Sequence, residues 1–452
     1  MRALSPITLT LGTAWCLIAA PSAWSQQTMP ALVDRAAQET VPALSLEQAL
    51  DRAYRVQPSV VRAQSDVHNA EQQKREAVGS WFPSVNFNST GSSTWNEGIG
   101  RIDTNTGLPV GGNQVSRNIR FGFSGSWDVF TGFRRSAVSR QARAQLTAAD
   151  ADLIDARFQT MLLTKQQFYA ALYATELVRV RQAGVRRAEE QLKVSINKLR
   201  TGSATRSDSL RSVVNLGNAL VQRVNAETQL ATAEASLARL VGLDGRVRAL
   251  DDSSFHRVAF DIPEAELRQE ALASSPAVLS AEASTGVSLQ SWKAAKAAWW
   301  PTLTLSGNWD WSGNNQVNNY QLLKQRSLVA RLTWPLFNGF TRERNVAAQA
   351  NGYDVAVATA ADTRRQVVST LITRSAELKA ASLRVEIARE SVAAAEEDLR
   401  VQQERYRLGA STIIEVLTSQ EALTQAEVDG VNARFDLLLA KAQIEALVGR
   451  SL

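Results

Sequence analysis

Side chains able to do covalent or metal chemistry are scarce in this sequence. It has one cysteine, Cys16, and two histidines, His68 and His256. A soft-metal site or a Cys–His nucleophile pair needs several such groups held close together. His68 sits among Asp66, Asn69 and Glu71, and shares no ligand spacing with His256 or Cys16. Gly202-Ser203 and Ser312-Gly313 do not form a nucleophile elbow. The expectation is no metal, no cofactor and no enzyme. Two acids do have a meaningful spacing. Asp208 follows Thr205 by three residues, and Glu415 follows Thr412 by three. A hydroxyl with an acid three residues on caps a helix start. Each pair follows a glycine, Gly202 or Gly409, of the kind that ends a helix in the left-handed conformation. The chemistry on offer is therefore electrostatic: carboxylates carried on turns between helices.

Those turns recur, and so does the rest of the chain. Gln57-Pro58 matches Ser275-Pro276, and Trp81-Phe82-Pro83 matches Trp299-Trp300-Pro301, both 218 positions on. Trp127-Asp128-Val129-Phe130-Thr131-Gly132-Phe133 matches Trp334-Pro335-Leu336-Phe337-Asn338-Gly339-Phe340, 207 positions on. Gly202 and Gly409 keep the 207 offset, as do Leu240-Val241-Gly242 and Leu447-Val448-Gly449. Ordered matches at two constant offsets mark one unit written twice, with a longer loop in the first copy. The expected organisation is a repeat over 45–242, an inter-repeat segment over 243–261 and a second repeat over 262–452. A segment over 26–44 precedes them.

The first residues read as a signal peptide over 1–25. Arg2 precedes the mostly apolar stretch Ile7 to Ala20, and Ala23-Trp24-Ser25 supplies small residues before a cut. Cys16 would leave with it. The alternative is a lipoprotein signal with Cys16 acylated, and Thr13 and Trp15 match that poorly. No later apolar run reaches the 18 or so residues of a membrane helix. The 452 residues carry 50 Lys+Arg against 44 Asp+Glu, a net charge of +6. That balance permits contact with nucleic acid or anionic lipid without requiring it. The charges alternate in sign along the helical stretches, which counts against a nucleic-acid partner.

Within each repeat the period of the pattern changes. Leu46 to Ser80 has helical spacing, broken at Pro58. After Pro83 the alternation becomes two, predicting strands at about 84–95 and 118–130, and in the second repeat at about 302–311 and 327–337. Aromatic residues cluster at the Pro83, Phe130, Trp299 and Phe337 ends, as in an interfacial girdle. The connecting stretches, Asn96 to Arg117 and Ser312 to Gln325, read as long polar loops. Long helices follow at about 133–200 and 205–242, then at about 340–408 and 412–449. Their Ala, Gln, Arg and Glu content, with Leu and Val at three- and four-residue spacing, fits coiled-coil packing.

Four strands of membrane-crossing length cannot close by themselves, and an open edge in lipid leaves backbone groups unpaired. Two chains give eight strands and a filled interior; three give twelve and room for a lumen. Competing readings are a soluble periplasmic coiled-coil scaffold with its hairpins packed as a β-domain, and a basic nucleic-acid-binding coiled coil.

These residues resemble the TolC family of outer-membrane channel proteins. The resemblance runs from Leu46 to Gly449. It rests on Pro58 and Pro276, on Pro83 and Pro301 at the strand starts, and on Pro335-Leu336-Phe337-Asn338-Gly339. Its most specific part is Tyr406-Arg407-Leu408-Gly409 with Thr412, Glu415-Val416-Leu417 and Gln420. The resemblance implies a mixed α/β membrane protein: a homotrimer with a twelve-stranded outer-membrane β-barrel, four strands per chain, continued by a periplasmic α-helical coiled-coil tunnel. It implies the partners too: a periplasmic adaptor protein, an inner-membrane pump of ABC, RND or MFS type, and outer-membrane lipid. Implied cargo is protein, by type I secretion, or small molecules. The absence of a mature N-terminal Cys leans toward the branch that serves type I secretion. Matching the family residue by residue implies inter-coil contacts of the closed end at Asp208 and Tyr406. Ser411 stands where the family has an arginine. Glu415 falls on an acidic constriction, and Thr418 where the family has a second acidic ring. The turns Thr201, Gly202, Ser203 and Leu408, Gly409, Ala410 resemble the adaptor-docking tips.

Overall fold

Proline and serine set the first boundaries. Strand β1 (Ala43–Leu44) leads through Ser45 into α1 (Leu46–Val56), and α2 (Pro58–Gly79) begins on Pro58. A proline costs nothing there, because first-turn N–H groups have no intrahelical partner. Ser45 Oγ accepts from Gln48 N at 3.3 Å, and Gln48 Oε1 accepts from Ser45 N at 3.2 Å, a closed capping box. Pro276 repeats the break between α5 (Glu264–Ser274) and α6 (Pro276–Lys296). This computed structural model describes residues 41–96, 101–102, 109–110, 114–251, 263–315 and 320–450. Contacts divide the chain into Met1–Val41 and Pro42–Leu452, and only the second is described below. The expected signal segment, the 26–44 segment up to residue 40, His256 and parts of both long loops lie outside the described residues.

The first hairpin pairs β2 (Ser84–Asn96) with β5 (Gln114–Phe130), and the two-residue ladder β3 (Arg101–Ile102) and β4 (Pro109–Val110) lies between them in sequence. Strand β6 (Arg248–Ala249) pairs parallel with β1, so the inter-repeat segment is tied to the start of the first repeat. The second hairpin is β7 (Thr302–Asn314) with β8 (Leu323–Thr333). The four long strands form one antiparallel sheet in the order β2-β5-β7-β8.

Cross-strand register decides what each face carries. Phe87 lies opposite Phe123, Phe123 opposite Trp309 and Phe121 opposite Trp311, so the apolar alternates share one face. Asn88 opposite Gly122, and Ser124 opposite Asn308, belong to the other. Nothing among the described residues covers the apolar face: Val85, Phe87, Leu328 and Leu332 are 60–75% exposed. A soluble sheet buries its apolar face against another layer, whereas a barrel wall gives it to lipid.

The strand expected over 327–337 runs instead from Leu323 to Thr333. Pro335 has no N–H to give to a ladder, so pairing stops before it. The other three strands continue past their expected loop ends, to Asn96, Gln114 and Asn314. Polar residues crowd that end, so the period of two fades from the sequence while the ladder goes on.

Each hairpin turns into its helix through two successive left-handed residues. Gly132 and Phe133 have φ of 60° and 65°, and Gly339 and Phe340 have 64° and 61°. Two arginines clamp these corners. Arg135 donates to Asp128 O and stacks 4.9 Å from the Trp81 ring centre, while the Trp127 indole donates to Trp81 O at 3.1 Å. Arg342 donates to Pro335 O at 3.0 Å and stacks 3.6 Å from Trp299, while Trp334 donates to Trp299 O at 3.3 Å. Arg135 and Arg342 keep the 207 offset, but in the sequence they look like ordinary charges on a solvated helix.

Helix α3 (Arg134–Arg200) has 67 residues and α7 (Thr341–Leu408) has 68. Each is about 100 Å long at 1.5 Å per residue. They are followed by α4 (Arg206–Leu240) and α8 (Ile413–Val448). Helix α3 packs on α2, α4, α6 and α8, and α7 packs on α6 and α8. Small residues such as Ala171, Ala188, Ala226 and Ala238 fill many buried positions and let the helices approach closely. Phe168, Leu172 and Leu237 build one core cluster, and Leu267, Leu371 and Ile444 another. Lys165 and Glu445 form an ion pair between α3 and α8, with side chains only 10% and 4% exposed.

Candidate functional site

The two helical turns are built alike. Gly202, at φ 73°, donates to Leu199 O at 3.0 Å, and Ser203 donates to Lys198 O at 2.8 Å. Gly409, at φ 78°, donates to Tyr406 O at 3.1 Å, and Ala410 to Arg405 O at 2.8 Å. This paired bonding is the Schellman motif. A Cβ at either glycine would meet nothing within 4 Å, so the backbone angle alone demands glycine. Thr201, Gly202, Ser203, Leu408, Gly409 and Ala410 are all exposed.

The helix starts differ in what they do with their acids. Asp208 N donates to Thr205 Oγ1 at 3.2 Å, and Thr205 N donates to Asp208 Oδ2 at 2.9 Å. The capping box engages one oxygen of this carboxylate. Glu415 N likewise donates to Thr412 Oγ1, at 3.4 Å, but the Glu415 carboxylate accepts from hydroxyls: Ser411 at 2.8 Å and Thr412 at 3.2 Å. The Ser411 hydroxyl chiefly holds the Glu415 carboxyl below its usual range. The Thr412 hydroxyl and N–H and the Arg405 guanidinium add to the effect. Glu415 remains exposed, and Thr418, Glu421, Gln425 and Asp429 continue its face along α8 at helical spacing. Thr418 only donates back to Ile414 O at 3.0 Å.

Tyr406 is buried among Leu399, Ile413, Val416 and Leu423. Its hydroxyl has no hydrogen-bond partner among the described residues. Burial pushes the phenol above its ordinary value, and the Asp208 carboxylate pushes the same way. The two residues are thus close enough to feel each other, and the described residues make no Asp208–Tyr406 hydrogen bond. Lys198, from the last turn of α3, donates to Tyr406 O and lies 4.5 Å from its ring centre. Lys198 thereby joins the two turns, and Arg405 acts on the Glu415 carboxylate. In the sequence they look like the ordinary basic residues of a helix end. Ser411, expected to stand in the place of a family arginine, divides its hydroxyl between Glu415 and Gln402, the latter at 3.2 Å. Higher up, Arg187 holds Glu427 at 2.9 and 2.6 Å and Thr424 at 3.2 Å, tying α3 to α8.

Among the described residues no group of His, Cys, Asp and Glu could hold a metal ion. No described helix is long and apolar enough to cross a membrane, a fact that does not bear on strands. The profile of the family described as outer membrane efflux protein matches residues 46–243 and 267–450, most of both repeats. The chain belongs to this TolC family of efflux proteins. It is an outer-membrane transport protein extending into the periplasm, and not an enzyme. Among relatives of this efflux protein, the pyoverdine export outer membrane protein OpmQ of Pseudomonas aeruginosa is 25% identical over 345 residues, 75% of this chain and 71% of that one. The alkaline protease secretion protein AprF of the same species is 24% identical over 324 residues, covering 68% and 66%. Among solved structures, the transmembrane channel protein CusC has the same fold, with a TM-score of 0.77 at 16% identity over 90% of this chain and 92% of that one.

Proposed function

We propose that this efflux protein is the exit duct of a tripartite export system. Three copies close a twelve-stranded barrel in the outer membrane, and their helices form a periplasmic tunnel. An adaptor protein docks on the turns at Thr201–Ser203 and Leu408–Ala410 and links the duct to an inner-membrane ABC, RND or MFS-type pump. The observation that carries the reading is the four-stranded sheet. Among the described residues one face is apolar and uncovered, the other is polar, and both edges, β2 and β8, are unpaired. In lipid such a sheet must be completed by other copies. The same observation counts against a soluble coiled-coil scaffold, which would have to cover that face. The relatives' names cover both export of a small molecule and secretion of a protease, so cargo is assigned by what co-purifies after cross-linking in cells. Purified protein in planar bilayers is expected to conduct as a trimer. A freely soluble monomer without conductance sinks the proposal.

In this duct the three Glu415 carboxylates form the periplasmic constriction, and Thr418 one turn on leaves it without a second acidic ring. Glu415→Ala is expected to weaken cation selectivity, and unchanged selectivity removes Glu415 from the constriction. The charge state follows the bonding. A carboxyl held down by Ser411 stays ionised as the pH falls through the ordinary carboxylate range, about 4.3 for Glu. Selectivity should therefore fade at a lower pH in wild type than in Ser411→Ala, when reversal potentials are compared between pH 3 and 6. In the closed end the Tyr406 hydroxyl pairs with the Asp208 carboxylate of the neighbouring coil. Tyr406→Phe is expected to raise conductance several-fold, because the bond is lost without creating a cavity. Wild-type conductance in this variant would show that the hydroxyl closes nothing.

A further inference from the structure

The apolar face of the sheet carries charge at one end only. Arg120 lies opposite Ser312 and Arg331 opposite Thr304, on the polar face with the acids Asp128 and Asp310. The remaining basic residues of the four long strands, Arg117, Lys324 and Arg326, fall on the apolar face. Lys324 lies opposite Trp311 and Arg326 opposite Trp309, while Arg117 is two positions from Ile119 on β5. No carboxylate of these strands shares that face, and all three cations are exposed. They sit toward the loop end. Toward the helix end the face carries Val85, Leu305 and Leu332 and no charge.

Two further observations mark this level of the sheet. Arg117 and Lys324 are 207 positions apart, and their opposite partners Ser93 and Trp311 are 218 apart, so both repeats place a cation at the equivalent position. Around Arg326 the rings are ordered as a plate. The guanidinium lies 4.5 Å from the Trp309 ring centre, Trp309 stacks on Trp311 at 5.2 Å, and Trp311 stacks on Phe121 at 5.6 Å. Trp309 is nine residues beyond Trp300 at the strand–helix corner. At about 3.3 Å per residue and a tilt of about 40°, that is about 23 Å along the membrane normal. The two aromatic girdles of an outer-membrane barrel flank an apolar band about 25 Å tall. Trp299 and Trp300, next to the helices, then belong to the periplasmic girdle, and Trp309 and Trp311 to the outer one. A cation is costly at the bilayer midplane and nearly free at this level.

Building on the proposed barrel, we infer that Lys324 and Arg326, with the Trp309–Trp311 plate, bind the phosphorylated sugar headgroup of an outer-leaflet glycolipid of the lipid A class. The ammonium and guanidinium take the phosphate oxygens in charge-assisted bonds. The indoles take the sugar and the first acyl carbons, because their faces are apolar and their N–H edge is polar. A zwitterionic headgroup would bring its own ammonium against these cations. A glycerophospholipid would supply a phosphate but no sugar ring for the plate. Arg117 supplies the equivalent cation on the first repeat.

Native mass spectrometry of the full-length oligomer purified from outer membranes tests this. The protein is exchanged into micelles doped with bisphosphorylated lipid A, with the same lipid stripped of its phosphates, or with phosphatidylglycerol. Wild type should retain lipid A at least tenfold better than either other lipid. Lys324→Gln with Arg326→Gln should lose at least tenfold of the retained lipid A while conducting normally in planar bilayers. Arg120→Gln with Arg331→Gln, which removes as much charge from the polar face, should retain it fully. Equal retention by the first pair, or equal loss in the second, overturns the site. Wild type that holds the stripped lipid as well shows that phosphate is not read, and equal retention of phosphatidylglycerol shows that the sugar is not; either overturns the assignment. Protein that conducts but holds no lipid A sinks the inference alone. Protein that neither inserts nor conducts sinks the barrel reading with it.

Discussion

Lys165→Met is expected to destabilise the helical domain by about 3–5 kcal/mol, the usual cost of removing one member of a buried ion pair. Glu445 is the charge left behind. Its side chain lies between α3 and α8 with almost no access to water, and Lys165 is its salt-bridge partner. The neighbouring Tyr169 phenol is pushed upward by burial and by Glu445 itself, so it stays neutral and cannot supply charge. At about 2–4 °C per kcal/mol for a domain of 150–250 residues, the helical melt followed by circular dichroism should fall by roughly 6–20 °C. Removing both charges separates this loss from a packing defect. Lys165→Met with Glu445→Leu should recover most of the midpoint, since apolar replacement of a whole buried pair is often neutral or better. A single variant that melts within 1 °C of wild type would show that Glu445 finds water or another partner.

Gly132→Val is expected to block the first hairpin from docking on its helix. The residue is left-handed, and a β-branched side chain there costs about 1–2 kcal/mol. Its Cβ would also meet Trp300 Cβ at 2.6 Å and Ala297 O at 2.7 Å, and such overpacking costs about 1–3 kcal/mol more. Backbone carbonyl and ring stem are both held by the turn that starts β7, so neither can give way cheaply. The amount recovered from outer membranes as gel-stable oligomer should drop at least tenfold. Gly286→Ala in α6, where an added Cβ meets nothing within 4 Å, should match or exceed wild type. Normal recovery of Gly132→Val would mean that the corner rearranges and that the Trp300 contact does not position the hairpin.

Much of the architecture was legible because its rules are local. Pro58 and Pro276 mark helix starts wherever they fall, because only first-turn positions tolerate a missing N–H. Alternation after Pro83 and Pro301 located the hairpins, and Gly202 and Gly409 located the turns. The strand over 323–333 was misplaced toward Pro335 because Leu336 and Phe337 continue the apolar alternation after the backbone can no longer pair.

The sequence by itself determined that one unit of helix, hairpin and helical turn is written twice, that its strands have one apolar and one polar side, and that its turns carry capped acids. Spacing inside one element suffices for that, since periods of two and of 3.6 are properties of neighbouring residues. Tertiary structure alone decided which groups are occupied and which are left open. Asp208 closes its capping box with one carboxylate oxygen, while Glu415 turns both oxygens to the Ser411 and Thr412 hydroxyls. Tyr406 is buried with its hydroxyl unmet among the described residues, and Lys198 reaches its carbonyl and ring from 208 residues away in the chain. Arg135 and Arg342 became corner clamps only when Trp81 and Trp299 came beneath them. Such contacts depend on how separate helices and strands are packed, and no period in the sequence records that.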